Sequence, residues 1–475
     1  MDISKAVQVY PSQRQMTWQA MEFYGFIHFG MNTMTDREWG LGHEDPNLFD
    51  PKELNCLEWA KTMKSAGMKG AILTCKHHDG FCLWPSAYSK HTVASSLWKD
   101  GQGDVVKEFA DACRQTGLKF GIYLSPWDRT EATYGEGKSY DDFYVNQLTE
   151  LLTQYGEIFE VWFDGANGEG DNGKQQVYDW DRYYEVIRRL QPQAVIAVCG
   201  PDVRWVGNEA GQTRKNEWSV VPVTLRNAEK IAKDSQQVDD GLFSQKVSSV
   251  DEDLGSRTAL GNYTGQLVWY PAEVNTSIRP GWFYHQNEDQ KVRSSNELFE
   301  LYRRSVGGNG TFLLNLPPTP AGQLADPDKK VLAELGRMIE EIKTNQPELQ
   351  GELVFSSSCE VVDPVEFQIQ KEQKKSNWKP AADDSTPMMT LSWQTAKTLN
   401  TLILQEDISV SQRVEGCNIS YLTEEGYQPL AKIESIGYKR IIDFEKITTT
   451  QIKLEFVAYR EYPTLSGLYA LLVNK

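Results

Sequence analysis

At 475 residues the chain exceeds what one hydrophobic core serves, since cores stop growing near ~250–300 residues, so two domains are expected. A formal charge of −17, from 49 basic against 66 acidic residues, repels phosphate backbones and argues against a nucleic-acid partner. No apolar run approaches the ~18 residues of a membrane span, and seven scattered cysteines without a CxxC pair argue against a disulfide framework or structural zinc.

The chain opens on the polar stretch MDISKAVQVYPSQ, which lacks a signal-peptide pattern. A methionine placed after a removed leader gives the same start, and in that case a periplasmic or secreted location is expected. From residue 22 to about 316, short runs rich in β-branched and aromatic residues alternate with helical-period segments, the texture of repeated βα units. Strands are expected at 24–29, 70–74, 119–124, 158–163, 194–198, 266–270, 281–284 and 311–316, with helices at 54–66, 105–116, 141–155 and 180–190. Eight such strands predict a (β/α)8 TIM-like barrel. Gly67 and Gly117 follow two of the helices where a C-cap belongs.

A proline-rich stretch, NLPPTPAGQLADPDKK, and a helix from 327 to about 343 mark the end of the barrel domain, taken as residues 1–345. Residues 346–475 read as short alternating strands with turns and no helical period, an antiparallel β-sandwich. The basic run KEQKKSNWK at 371–379 is interrupted by Glu and Ser and reads as a solvated loop.

Active sites of such barrels lie at the C-terminal strand ends, so what each strand ends on is diagnostic. Strand one ends GFIHFG with His28, strand two LTCKHHDGF with His77 and His78, and strand three GIYLSPWD with Tyr123 and Trp127. Strand four ends VWFDG with Asp164, and strand five runs into CGPDVRWVGNEAG with Arg204, Trp205 and Glu209. Strand six leads into WYPAEVNTS with Glu273, and strand seven is GWFYH with Trp282. Aromatic faces pack on the apolar side of a sugar ring while imidazoles and carboxylates bond its hydroxyls, so the set reads as a sugar pocket. Trp39, Trp84, Trp162 and Trp282 fit either such a pocket or the core. His43, His91 and His285 read as ordinary satisfied histidines.

Glycoside hydrolysis usually takes two carboxyl groups flanking the scissile bond. Asp164, at the end of a hydrophobic strand, is expected as one of them, because a buried carboxylate there is costly unless it is paired or hydrogen-bonded. Glu209, Glu217 and Glu273 each sit on segments able to reach it, and spacing does not choose among them.

These segments, with FYGFIHFGMNTMTDREWG, AKTMKSAGMKGAILTCKHHDGFCLWPS and EIFEVWFDGA in order over residues 23 to about 212, resemble glycoside hydrolase family 29, the retaining α-L-fucosidases. The resemblance implies Asp164 as nucleophile and a fucose pocket built from His28, Glu38, Trp39, His77, His78, Tyr123, Trp162 and Trp282. GPDVRWVGNEAG is similar to the subgroup that cleaves α-1,3 and α-1,4 fucosyl links in Lewis-type oligosaccharides, whose acid/base is the glutamate of GNE, here Glu209. Arg204 and Trp84 are carried as further substrate-binding candidates. The C-terminal segments resemble a discoidin-like β-sandwich, expected to brace the barrel, with Trp378 and Trp393 its few ring-stacking candidates.

The expected partner is a fucosylated oligosaccharide; no metal or other cofactor is expected, and no oligomeric state is implied. Three rivals remain: a broader exo-glycosidase acting on other fucosyl links or on galactosides, a metal-dependent barrel hydrolase using His77 and His78, and a carbohydrate-binding protein on an inactive barrel.

Overall fold

The computed structural model describes residues 3–235, 244, 252–343, 349, 351–358 and 377–473. Cys359 and the basic run up to residue 376 lie outside the described residues.

Five parallel strands form in sequence order: β1 (Phe23–Ile27), β2 (Gly70–Lys76), β3 (Lys119–Leu124), β4 (Glu160–Phe163) and β5 (Val195–Val198). Except for the exposed first residue of β3, every residue in them is buried, as expected for strands covered on both faces. Between them run helices Cys56–Ser65, Val105–Thr116, Lys138–Gln154 and Trp180–Leu190. Asp104 caps the second by accepting from the Lys107 amide, and Gly117 closes it at φ 74°, a left-handed position that suits glycine.

The far side of the barrel departs from expectation. Residues 266–270 do not enter it: β8 (Leu267–Trp269) pairs antiparallel with β7 (Val220–Pro222) in a separate ribbon, and 281–284 form a loop. The two barrel positions belong instead to β6 (Arg204–Trp205) and β9 (Ala272–Ser277), followed by β10 (Thr311–Asn315). The sheet order β5-β4-β3-β2-β1-β10-β9-β6 is almost a ring, and a parallel bridge between Ala197 and Val203 links its two ends. Strand β9, AEVNTS, hides in the sequence because its inward residues are polar. Inside the barrel the Glu273 carboxylate accepts from Tyr24 and Trp162, Asn275 Oδ1 accepts from Trp205, and Ser277 Oγ accepts from Asn315. Conversely, GWFY is apolar because Trp282 and Phe283 pack against His28 and, for Phe283, also His77, not because it pairs.

Helix Asp326–Lys343 precedes the C-terminal antiparallel sheet, β11 (Glu352–Phe355), β12 (Met388–Gln405), β13 (Val414–Thr423), β14 (Gly426–Ile433), β15 (Arg440–Tyr459) and β16 (Gly467–Leu471). Its order is β11-β12-β15-β13-β14, with β16 on β12. The long strands β12 and β15 run past bulges near 392–397 and 399–401, and their buried side chains enclose one core with Trp378 and Trp393 inside it. Both indoles donate to backbone carbonyls, of Ser357 and Leu349, so neither is available as a surface stacking platform. The sheet grips the barrel through Lys439 and Tyr438 on Glu22, the Arg303–Asp443 ion pair, and the Asn309 amide on the Lys439 carbonyl. Glu22 and Asn309 stand at the entries to β1 and β10, the barrel end opposite the strand ends considered below.

Candidate active site

At the C-terminal strand ends, a cavity with an empty volume of about 470 Å³ is lined by Phe26, His28, Trp39, His77, His78, Trp162, Asp164, Ala166, Glu209 and Trp282.

Asp164 follows β4 directly, so the strand sets its position. Its Oδ2 accepts from the Tyr123 hydroxyl at 2.7 Å and its Oδ1 from the Ala166 amide at 2.8 Å. His78 Nε2 lies 3.9 Å from Oδ2. Tyr123 is itself held flat against Trp162, ring centroids 5.5 Å apart. Burial, and then the Asp164 charge, push its phenol well above the usual range, so it stays a donor.

The three pocket histidines are neutral. Burial pushes His28 down to about 3 and His78 to about 4, the latter against the pull of Asp164, and it takes His77 well below its ordinary value. Their partners select the tautomers. Asn315 donates through Nδ2 to Ser277 and to the Trp282 carbonyl, so its Oδ1 accepts from His28 Nδ1 at 2.8 Å. Ser125 spends its proton on the Trp127 carbonyl, so His78 Nδ1 donates to Ser125 at 2.7 Å. His77 Nδ1 instead accepts from Asn32 Nδ2 at 3.3 Å. Two imidazoles therefore keep Nε2 as an acceptor and one keeps Nε2–H as a donor. Mixed donors and acceptors beside aromatic walls suit vicinal hydroxyls.

Trp282 covers the other side. Its indole donates to Glu209 Oε2 at 3.1 Å and lies 5.0 Å from the His28 ring. The loop carrying it is anchored by Glu38, whose carboxylate accepts from the Trp282 and Phe283 amides at 2.8 and 3.0 Å and pairs with His285 at 2.9 Å. A Cβ on Gly281 would come within 2.3 Å of Glu38, so only glycine permits this approach.

A family model described as alpha-L-fucosidase matches residues 7–343. The chain belongs to the α-L-fucosidase family. Alpha-L-fucosidase 1 of Arabidopsis thaliana is 38% identical over 468 residues, covering 97% of this chain and 87% of that protein. A solved structure from Bacteroides ovatus is 42% identical with a TM-score of 0.84, covering 100% of this chain and 76% of that one. A Ruminococcus gnavus family 29 fucosidase, solved in complex with fucose, is 26% identical with a TM-score of 0.83 over 98% of this chain and 95% of its own. The protein is therefore a glycoside hydrolase whose substrate is a glycan.

Within this fucosidase the cavity gathers His28, Trp39, His77, His78, Trp162, Asp164, Glu209 and Trp282 from the expected set. Tyr123 and Glu38 stand behind it, one bonded to Asp164 and the other holding the Trp282 loop. Two candidates lie elsewhere. Trp84 is fully buried and donates to Glu150 Oε2 at 2.9 Å, so it belongs to the core. Arg204 is buried in β6 and paired with Glu217, which also faces Arg214, so this glutamate is spent on arginines. Glu273, the remaining acid candidate, lies inside the barrel against Glu160. Burial pushes both carboxyls up, and Tyr24, Trp18 and Trp162 donate to the pair.

Asn32, Ser125 and Asn315, which fix the three imidazoles, were not legible as site residues. Asn315 alone carried a signal, a polar residue ending the apolar run TFLLN. His285, expected to be an ordinary satisfied histidine, supports Glu38, while His43 is exposed and paired with Asp171.

Proposed function

We propose that the protein is a retaining exo-α-L-fucosidase that removes terminal α-1,3- or α-1,4-linked L-fucose from Lewis-type oligosaccharides or glycoconjugates. The observation that carries this reading is the pairing of Asp164 and Glu209 on one small cavity with three neutral histidines and three indoles.

In the first step a carboxylate oxygen of Asp164 bonds to the anomeric carbon as the glycosidic C–O bond breaks, and Glu209 gives its proton to the departing oxygen. In the second, Glu209 takes a proton from water, whose oxygen displaces Asp164 from the anomeric carbon. Two inversions leave the configuration unchanged. The donors on Asp164 from Tyr123 and Ala166 support its ionised form and receive it again when it leaves. The Trp282 indole on Glu209 supports the carboxylate that remains after proton transfer. His28, His77, His78, Trp39 and Trp162 bind the fucose ring and its hydroxyls.

Incubation with Lewis-type trisaccharides, 2'-fucosyllactose and an aryl fucoside tests the reading. Release of fucose from the trisaccharides, with the anomeric configuration first retained, is expected. Cleavage of the 2'-linked sugar alone would refute the linkage assignment, full activity in Asp164→Asn would refute the mechanism, and preference for a galactoside would refute the substrate.

A further inference from the structure

Beside the pocket, a second cluster is unused by the chemistry above. Glu44 lies just beyond the Trp39 loop, and Asp79 directly follows His77 and His78. His91 lies on the segment whose neighbour Thr92 pairs through Cys82 back to Lys76 of β2. One ligand atom from each of Glu44, Asp79 and His91 falls within 4.8 Å of the other two. The approach of these loops is close: a Cβ on Gly40 would come within 2.5 Å of Asp79 Cβ and 3.0 Å of Glu44 Oε1.

The cluster is buried and incompletely satisfied. The His91 and Glu44 side chains are 6% and 8% exposed, and Asp79 is 1% exposed. Glu44 Oε1 accepts from the Leu41 amide and Asp79 Oδ1 from the Phe81 amide. His91 Nε2 and Glu44 Oε2 are buried with no hydrogen-bond partner. They stand 3.8 Å apart, too far to bond each other. Orphaned buried atoms of this kind carry the full desolvation cost unless something lies between them.

An ion held at ~2.0–2.2 Å from nitrogen and oxygen ligands places two of them no more than ~4.4 Å apart, and the 3.8 Å between His91 Nε2 and Glu44 Oε2 fits inside that limit. One imidazole with two carboxylates matches a transition ion of the zinc class; calcium and magnesium take oxygen alone. We propose that Glu44, Asp79 and His91 bind one zinc-class divalent ion that pins the Trp39 loop to the turn carrying His77 and His78.

The test loads the purified full-length chain with Zn²⁺, removes excess by dialysis, and measures bound zinc by elemental analysis and Tm with and without chelator. A single retained ion is expected, with a Tm that falls by ~2 °C or more on chelation and returns with zinc. His91→Gln and Glu44→Gln should lose the ion, whereas Asp164→Asn, which alters the separate cluster of His77, His78 and Asp164, should keep it. Should both cluster variants fail to fold, the chelator response of the unaltered chain still decides. Metal-free protein with a chelator-insensitive Tm overturns the proposal in favour of a bridging water. An ion lost in Asp164→Asn but kept in His91→Gln overturns it in favour of the pocket. Neither readout depends on turnover, so failure here leaves the fucosidase reading standing.

Discussion

Tyr123 donates its hydroxyl to Asp164 Oδ2 across 2.7 Å, and this bond joins the end of β3 to the end of β4 at the cavity. A hydrogen bond to a charged group contributes about 1.5–3 kcal/mol. Tyr123→Phe removes the donor and keeps the ring that packs on Trp162, so kcat is expected to fall ~10–100-fold with KM little changed, since each ~1.4 kcal/mol is a factor of ten. Steady-state kinetics on an aryl fucoside measure it, and a change confined to KM would mean that Tyr123 serves binding instead.

Under the proposed mechanism, Glu209 and Asp164 should depend differently on the leaving group. A nitrophenolate departs without protonation, whereas a sugar alkoxide does not, so Glu209→Gln should lose ~10²–10⁴-fold on oligosaccharides and much less on nitrophenyl fucoside in the first step. Asp164→Asn should lose activity on both. Equal losses for Glu209→Gln on the two substrates would move the acid to another residue.

His285 couples the pocket to alkaline pH. Its hydrogen bond to Glu38, helped by Asp36 and opposed by burial, raises it from an ordinary 6.5 to about 9. The folded state thus holds the proton more tightly than the unfolded one. The resulting stability is present in full below pH 6.5, weakens as pH rises, and is gone above pH 9. The Tm difference between the unaltered chain and His285→Gln should therefore shrink towards zero by ~pH 10. A difference that stays constant from neutral to alkaline pH would show that the pair carries no charge.

Glu160 and Glu273 form a carboxyl pair sealed inside the barrel, and one of them keeps a proton because two adjacent charges there cannot both persist. Glu273→Ala leaves the Trp162 indole without its acceptor and takes one partner from the Tyr24 hydroxyl, which keeps Thr311, and should cost about 1–3 kcal/mol in chemical denaturation. Glu273→Gln keeps an acceptor and a donor in place and should cost much less. Similar losses for both would assign the effect to packing.

Six of the eight barrel strands were legible because β1 to β5 and β10 are apolar runs bounded by turns. The other two were not: β6 is only the two residues Arg204–Trp205, too short to show a pattern, and β9 is masked by its polarity. The residues of β9 that face the barrel interior are polar and hydrogen-bond to partners distant in sequence, so the run does not look like a strand. The aromatic loop 281–284 looks like a strand because it must be apolar to cover a sugar pocket. The same reasoning explains Trp84 and Arg204. Each has the residue type of a pocket wall, yet each already has a partner, Glu150 or Glu217, that its spacing did not disclose.

By itself the sequence determined the barrel class, the strand-end position of Asp164 and the company of His28, His77 and His78, because strand ends are local events written in consecutive residues. Only the tertiary structure decided which nitrogen of each histidine carries the proton, since that depends on Asn32, Ser125 and Asn315 arriving from other segments. It likewise set where each candidate glutamate lies. Glu217 and Glu273 are consumed by arginines and by a buried carboxyl pair, and Glu209 remains on the cavity because the loop held by Glu38 brings Trp282 against it.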